Sequence, residues 1–82
     1  MGKIRMKIKL KLYTILRKYI PEEIEGDNLE VPENSKIIDI IKSLGIPDDL
    51  PRIILINGVQ KNPGDNLSDN DELSIFPPIS GG

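Results

Sequence analysis

Leu73-Ser74-Ile75-Phe76-Pro77-Pro78-Ile79-Ser80-Gly81-Gly82 is the stretch on which the reading of this chain turns. Leu73 to Phe76 has the apolar, partly β-branched character of a strand. Pro77-Pro78 stops that strand and stiffens the base of the tail, because each proline fixes φ and removes a backbone donor. Gly81 and Gly82 then form a slim, unbranched end, since glycine has no Cβ. From Ile79 to Gly82 an extended chain reaches roughly 13 Å at ~3.3 Å per residue, enough to thread a tunnel in another protein. The same residues also suit an ordinary small chain end or an appended Ser-Gly-Gly remnant.

Working outward, Asn62 to Asp71 is rich in turn formers, with Leu67 expected to point inward. Arg52 to Ile56 is an apolar, β-branched run that suits a central strand covered on at least one face. Asn57-Gly58 comes directly after it and supplies the two positive-φ residues of a type I′ turn, so Val59 to Lys61 should fold back as a short hairpin strand. Ile37, Ile38, Ile40, Ile41 and Leu44 fall at helical spacing and predict a helix over Lys36–Leu44 whose apolar stripe is core. Ser35 is its expected N-cap, Gly45 its C′ residue, and Pro47 bars continuation. With Ser35 as cap, Ile38 takes the third helical position, so Asp39 does not close a capping box. Isoleucine is a mediocre helix former, so this helix must be held by packing.

At the start, Met6, Ile8, Leu10 and Leu12 alternate with Lys7, Lys9 and Lys11, the period-two pattern of a strand over about Ile4–Leu12 with one wet face. Tyr13 to Tyr19 breaks the alternation and suits a short helical turn before Pro21. Glu22 to Asn28 reads as a polar loop, and Leu29 to Val31 as a short strand antiparallel to the first, closed by Pro32. The order is hairpin, helix, strand, short strand, strand. It puts the first and last strands at the sheet centre, so the tail leaves from the middle. The expectation is an α+β, β-grasp-like roll with a mixed sheet of four to five strands packed on one main helix. It is read as one domain over residues 1–82 with a flexible C-terminal tail at 77–82.

Composition narrows the chemistry. The 82 residues contain no Cys and no His, which removes disulfides, thiolate metal sites, a cysteine nucleophile and the usual general base. Autonomous catalysis is therefore disfavoured. No apolar run is long enough for a membrane helix, and no signal core comes after the basic start, so a cytoplasmic location is expected. Residues 3–18 carry seven Lys or Arg and no acid, although the net charge is −2. Nucleic-acid binding is one reading of that block. The alternation with apolar residues favours instead the wet face of a strand, where lysines guard against edge pairing. Tyr13, Tyr19 and Phe76 are the only aromatics, too few for a base-stacking platform.

Taken together, Phe76 to Gly82 and the preceding Leu67-Ser68-Asp69-Asn70-Asp71-Glu72-Leu73 resemble the MoaD/ThiS family of sulfur carriers, and within it the small subunit of molybdopterin synthase. The Asn57-Gly58 turn and Leu12-Tyr13-Thr14-Ile15-Leu16-Arg17 sit where that family has comparable features, so the resemblance spans nearly the whole chain. Asn70 stands where the family usually has glycine. Asparagine tolerates positive φ better than most residues, so the turn can persist. About five basic-patterned residues at the start are an addition.

The resemblance implies a ubiquitin-like β-grasp carrier whose reactive group is its own end. An E1-like, MoeB-like adenylyltransferase would use ATP and magnesium to convert the Gly82 carboxylate into an acyl adenylate. A sulfur donor would displace AMP and leave a thiocarboxylate. The tail would then enter a MoaE-like large subunit of molybdopterin synthase and deliver sulfur to a pterin precursor. No cofactor, metal, nucleic acid or membrane is implied for the carrier itself. Gly81 would allow close threading. Phe76, Pro77, Pro78, Ile79, Ser80, Tyr13, Arg17 and, more weakly, Val59 would meet the partner. For Phe76 ordinary core packing is an equal alternative, and for Arg17 simple solvation of the turn. A ubiquitin-like modifier joined to lysines shares the same activation, and thiamine synthesis and tRNA thiolation use similar carriers. A noncovalent binding module in which Gly-Gly is incidental is the remaining class.

Overall fold

Alternation along β1 (Arg5–Leu12) is carried into space without a break: Met6, Ile8, Leu10 and Leu12 are buried, while Arg5, Lys7 and Lys9 are exposed and Lys11 half-exposed. These positions come from a computed structural model that describes residues 5–22, 24, 26–51 and 53–77. β1 pairs antiparallel with β2 (Asn28–Pro32) and parallel with β5 (Glu72–Phe76). On its other side β5 pairs antiparallel with β3 (Ile53–Ile56), which forms a hairpin with β4 (Val59–Gln60). The sheet order is β2-β1-β5-β3-β4, with the last strand at the centre as expected. The register places Leu73 between Leu10 and Ile56, and Ile75 between Leu12 and Ile54, so one face is an unbroken apolar surface.

That face is covered by α1 (Ile37–Ser43) through Ile37, Ile40 and Ile41, with Leu16, Val31, Ile46 and Leu67 completing the core. Leu16 comes from a 3₁₀ turn over Thr14–Tyr19, where the alternation fails. Asn57 (φ 54°) and Gly58 (φ 84°) make the positive-φ pair of the β3–β4 turn. Asn70 has φ 69°, so it takes the left-handed conformation required of it.

The helix start corrects the expected capping. The cap is Lys36, one residue later than Ser35, and the buried Ser35 hydroxyl instead donates to the Pro32 carbonyl at 2.6 Å. The shift makes Asp39 the third helical residue, and its carboxylate accepts the Lys36 N–H at 3.0 Å. A lysine side chain has no acceptor with which to return that bond, so only one half of the box's reciprocal side-chain pair forms. At the other end Ile46 N–H donates to Ile41 C=O at 3.1 Å and Gly45 N–H to Lys42 C=O at 3.0 Å. With Gly45 at φ 80° this is a Schellman close, and the buried Ile46 supplies its apolar contact.

Candidate functional site

The site is built around the exit of β5. Leu73 and Ile75 point into the core and are fully buried, and Pro77 beyond the strand is also buried. The tail therefore departs from an anchored base. Strand parity puts Phe76 on the opposite, helix-free face, half-buried. There its ring stacks on Tyr13, with centroids 4.3 Å apart and planes 3° from parallel. Such a pair contributes about 0.5–1.5 kcal/mol beyond area burial. Tyr13 is brought in because its N–H donates to the Ile75 carbonyl at 3.3 Å, which extends the β1–β5 pairing past the end of β1. Thr14 then turns the chain with φ 51°, an uncommon conformation for a β-branched residue.

Ile53 lies opposite Phe76 across the β3–β5 ladder and is 40% exposed, while Tyr13 is 37% and Ile15 57% exposed. Tyr13, Phe76, Ile53 and Ile15 thus leave apolar surface open around the exit. Arg17 is exposed and lines, with Tyr13, Leu12 and Ile20, a shallow depression of about 190 Å³ beside it. Lys11 at the same rim is paired with Asp27 at 2.9 Å, and that hydrogen-bonded carboxylate raises the lysine pKa.

Of the residues expected to meet a partner, Tyr13, Arg17, Phe76 and Pro77 lie near this exit. Val59 is not part of that cluster. It is 58% exposed, but it pairs with Ile56 and so belongs to the helix-bearing side at the sheet edge. Pro78, Ile79, Ser80, Gly81 and Gly82 lie outside the described residues. Ile53 and Ile15 were not singled out from sequence. The run Ile53-Ile54-Leu55-Ile56 is apolar at both parities; pairing of Ile54 with Ile75 and of Ile56 with Leu73 decides which set is core and leaves Ile53 on the other face.

Fold and exit geometry define a small ubiquitin-like β-grasp protein. The chain belongs to the ThiS family, whose model matches residues 11–82. It is thus of the MoaD/ThiS kind, a ubiquitin-like small modifier or sulfur carrier. Among solved structures it is similar to the Haloferax volcanii HVO 2177 protein, at TM-score 0.72 and 22% identity over 99% of this chain and 91% of that one. SAMP1 from Haloferax volcanii gives TM-score 0.64 and 21% identity over 93% and 99%. A putative molybdopterin converting factor, subunit 1, from Pyrococcus furiosus gives 0.63 and 21% over 90% and 99%. No curated protein matches the chain by sequence. Among the described residues no helix is long and apolar enough to cross a membrane.

Proposed function

We propose that the chain carries sulfur as a thiocarboxylate on Gly82 and donates it in molybdopterin synthesis, as the small subunit of the synthase. The observation that carries this reading is the family match running through Gly82, on a fold whose last strand leaves from the sheet centre. In the proposed cycle the Gly82 carboxylate attacks the α-phosphate of magnesium-bound ATP, and pyrophosphate leaves. A donor protein's persulfide attacks the adenylate carbonyl and AMP leaves, giving an acyl disulfide; a second thiol then reduces its S–S bond, releasing the Gly82 thiocarboxylate and leaving a disulfide on the donor side. A thiocarboxylate is the better nucleophile and a source of sulfide, and a pterin dithiolene takes two such deliveries.

The chain's own residues hold and present. Pro77 and the buried β5 fix the tail base, and the stacked Tyr13 and Phe76 rings with Ile53 offer an apolar anchor for an E1-like, MoeB-like adenylyltransferase and then for a MoaE-like large subunit. Exposed Arg17 meets an acidic rim on those partners. Gly81 and Gly82 let the partner's donors close around the acyl carbonyl without steric conflict. Cytoplasmic location follows from the ATP and partners required.

The test is to incubate the chain with the activating enzyme of its own genome, ATP, magnesium and a sulfur donor, and to weigh the intact product. One oxygen replaced by sulfur supports the proposal; unchanged mass with an active enzyme overturns it. A second reading, conjugation to lysines as a protein modifier, is favoured by the likeness to small archaeal modifier protein 1 of Haloferax volcanii and of Methanosarcina acetivorans. Gly-Gly remnants on lysines of other proteins would support it.

A further inference from the structure

Asn57-Gly58 is the only Asn-Gly pair in the chain, and it is a reactive dipeptide as well as a turn. The Gly58 backbone nitrogen can attack the Asn57 side-chain carbonyl carbon, because glycine has no Cβ to obstruct ring closure. Both residues are exposed, and a Cβ built at Gly58 would meet nothing within 4 Å, so water and hydroxide reach the turn freely. Left mobile, such a pair deamidates spontaneously.

In the folded chain the Asn57 side chain is gripped at both ends. Nδ2 donates to Asp71 Oδ1 at 3.0 Å, and Oδ1 accepts the Glu72 N–H at 3.0 Å. The two ends cannot be exchanged, since an N–H only donates and an ionised carboxylate only accepts. The Asn57 N–H also donates to the Glu72 carbonyl at 3.0 Å, so backbone and side chain both hold one residue of β5. Asp71 is itself fixed, because its other oxygen accepts the Ser68 N–H at 2.8 Å. Swinging the carboxamide so that its face meets the Gly58 nitrogen therefore breaks both side-chain bonds.

We propose that Asn57 is a deamidation site held shut by this clasp, and that its conversion turns the clasp against itself. In the reaction the Gly58 nitrogen gives its proton to hydroxide and bonds to Asn57 Cγ. The Cγ–Nδ2 bond breaks, and Nδ2 leaves as ammonia with a proton from water. Water then opens the cyclic imide at either carbonyl, leaving an aspartyl or isoaspartyl residue at position 57. An aspartyl residue sets a second carboxylate against Asp71 where the amide donor stood, and an isoaspartyl residue adds a backbone carbon to a two-residue turn. Either product frees the start of β5 from the hairpin. The inference does not depend on whether the tail carries sulfur.

The experiment incubates the full chain at mildly alkaline pH and locates the conversion by peptide mass spectrometry, with isoaspartate at position 57 as the diagnostic product. The folded chain should convert at least roughly tenfold more slowly than the same chain unfolded in guanidinium. Asp71→Ala removes one bond of the clasp and should raise the folded rate about fivefold, the factor that one exposed hydrogen bond carries. Ile41→Val on the helix lowers stability comparably without touching the clasp, and should leave the rate within about twofold of the parent. Independently, Asn57→Asp copies one product and should lower the denaturation midpoint. Adding Asp71→Asn should restore most of that loss, because the new amide donates where Asp71 accepted while its oxygen keeps the Ser68 N–H. Equal rates in folded and unfolded chain, conversion centred on another asparagine, an unchanged rate in Asp71→Ala, equal acceleration by Ile41→Val, or no recovery in the double variant would each overturn the proposal.

Discussion

The two ends of β5 are held by different physics. At its start Asp71 acts as a polar hub: its carboxylate accepts the Asn57 side-chain amide at 3.0 Å and the Ser68 N–H at 2.8 Å. Asn57 in turn accepts the Glu72 N–H at 3.0 Å through its side chain and donates its own N–H to the Glu72 carbonyl at 3.0 Å. Directional bonds thus bolt the hairpin turn to the strand and leave its register no freedom. At its exit the strand is held by buried Ile75 and Pro77 and by the Tyr13–Phe76 stack. Apolar contact is non-directional and can be shared with a partner. The start fixes the register, and the exit leaves a surface on which another protein can close.

That contrast can be broken first at the core. Ile75→Ala, beneath the exit, should cost about 2–5 kcal/mol in denaturant unfolding, because a fully buried side chain leaves a cavity. Phe76→Ala should separate stability from function. Affinity for the activating enzyme is expected to fall roughly 30-fold, equivalent to ~2 kcal/mol, in titration calorimetry, with a smaller loss of stability. Equal losses of both would assign Phe76 to packing alone. At the start of the strand the pattern should invert: Asp71→Ala should lower stability by about 1 kcal/mol through its exposed hydrogen bonds and leave partner affinity for the correctly folded fraction unchanged.

The smallest effect concerns the exposed Lys11–Asp27 pair. The folded pKa of Lys11 is raised, chiefly by the hydrogen bond it donates to the Asp27 carboxylate. The contribution of the Lys11 titration is fully present below the unfolded lysine pKa and is lost as pH rises through the folded value, so on the alkaline side it fades through that range. Asp27→Asn should therefore lower the Lys11 pKa seen by NMR titration while changing stability near neutrality very little.

Most of the architecture was legible because local and tertiary signals agree. The β1 alternation, the Asn57-Gly58 turn, the isoleucine stripe and the Gly45 stop each point to the element that forms, and the parallel pairing of first and last strands follows from their order. The helix cap was misplaced because Ser35 was read as an isolated residue, whereas its hydroxyl is consumed by the Pro32 turn. Val59 was grouped with Phe76 on apolarity alone. Pairing parity, which needs the Leu55–Gln60 and Ile56–Val59 register, puts it on the other side. The Tyr13–Phe76 stack joins residues far apart in sequence through the β1–β5 register carried one residue past β1, which no local propensity announces.

The claim that an inert body presents its own end for activation is tested most directly by ATP–pyrophosphate exchange. The activating enzyme is supplied either with the chain ending at Gly82 or with the same chain carrying residues fused after Gly82. The account predicts robust exchange with the first and background exchange with the second. Equal exchange with both would contradict it.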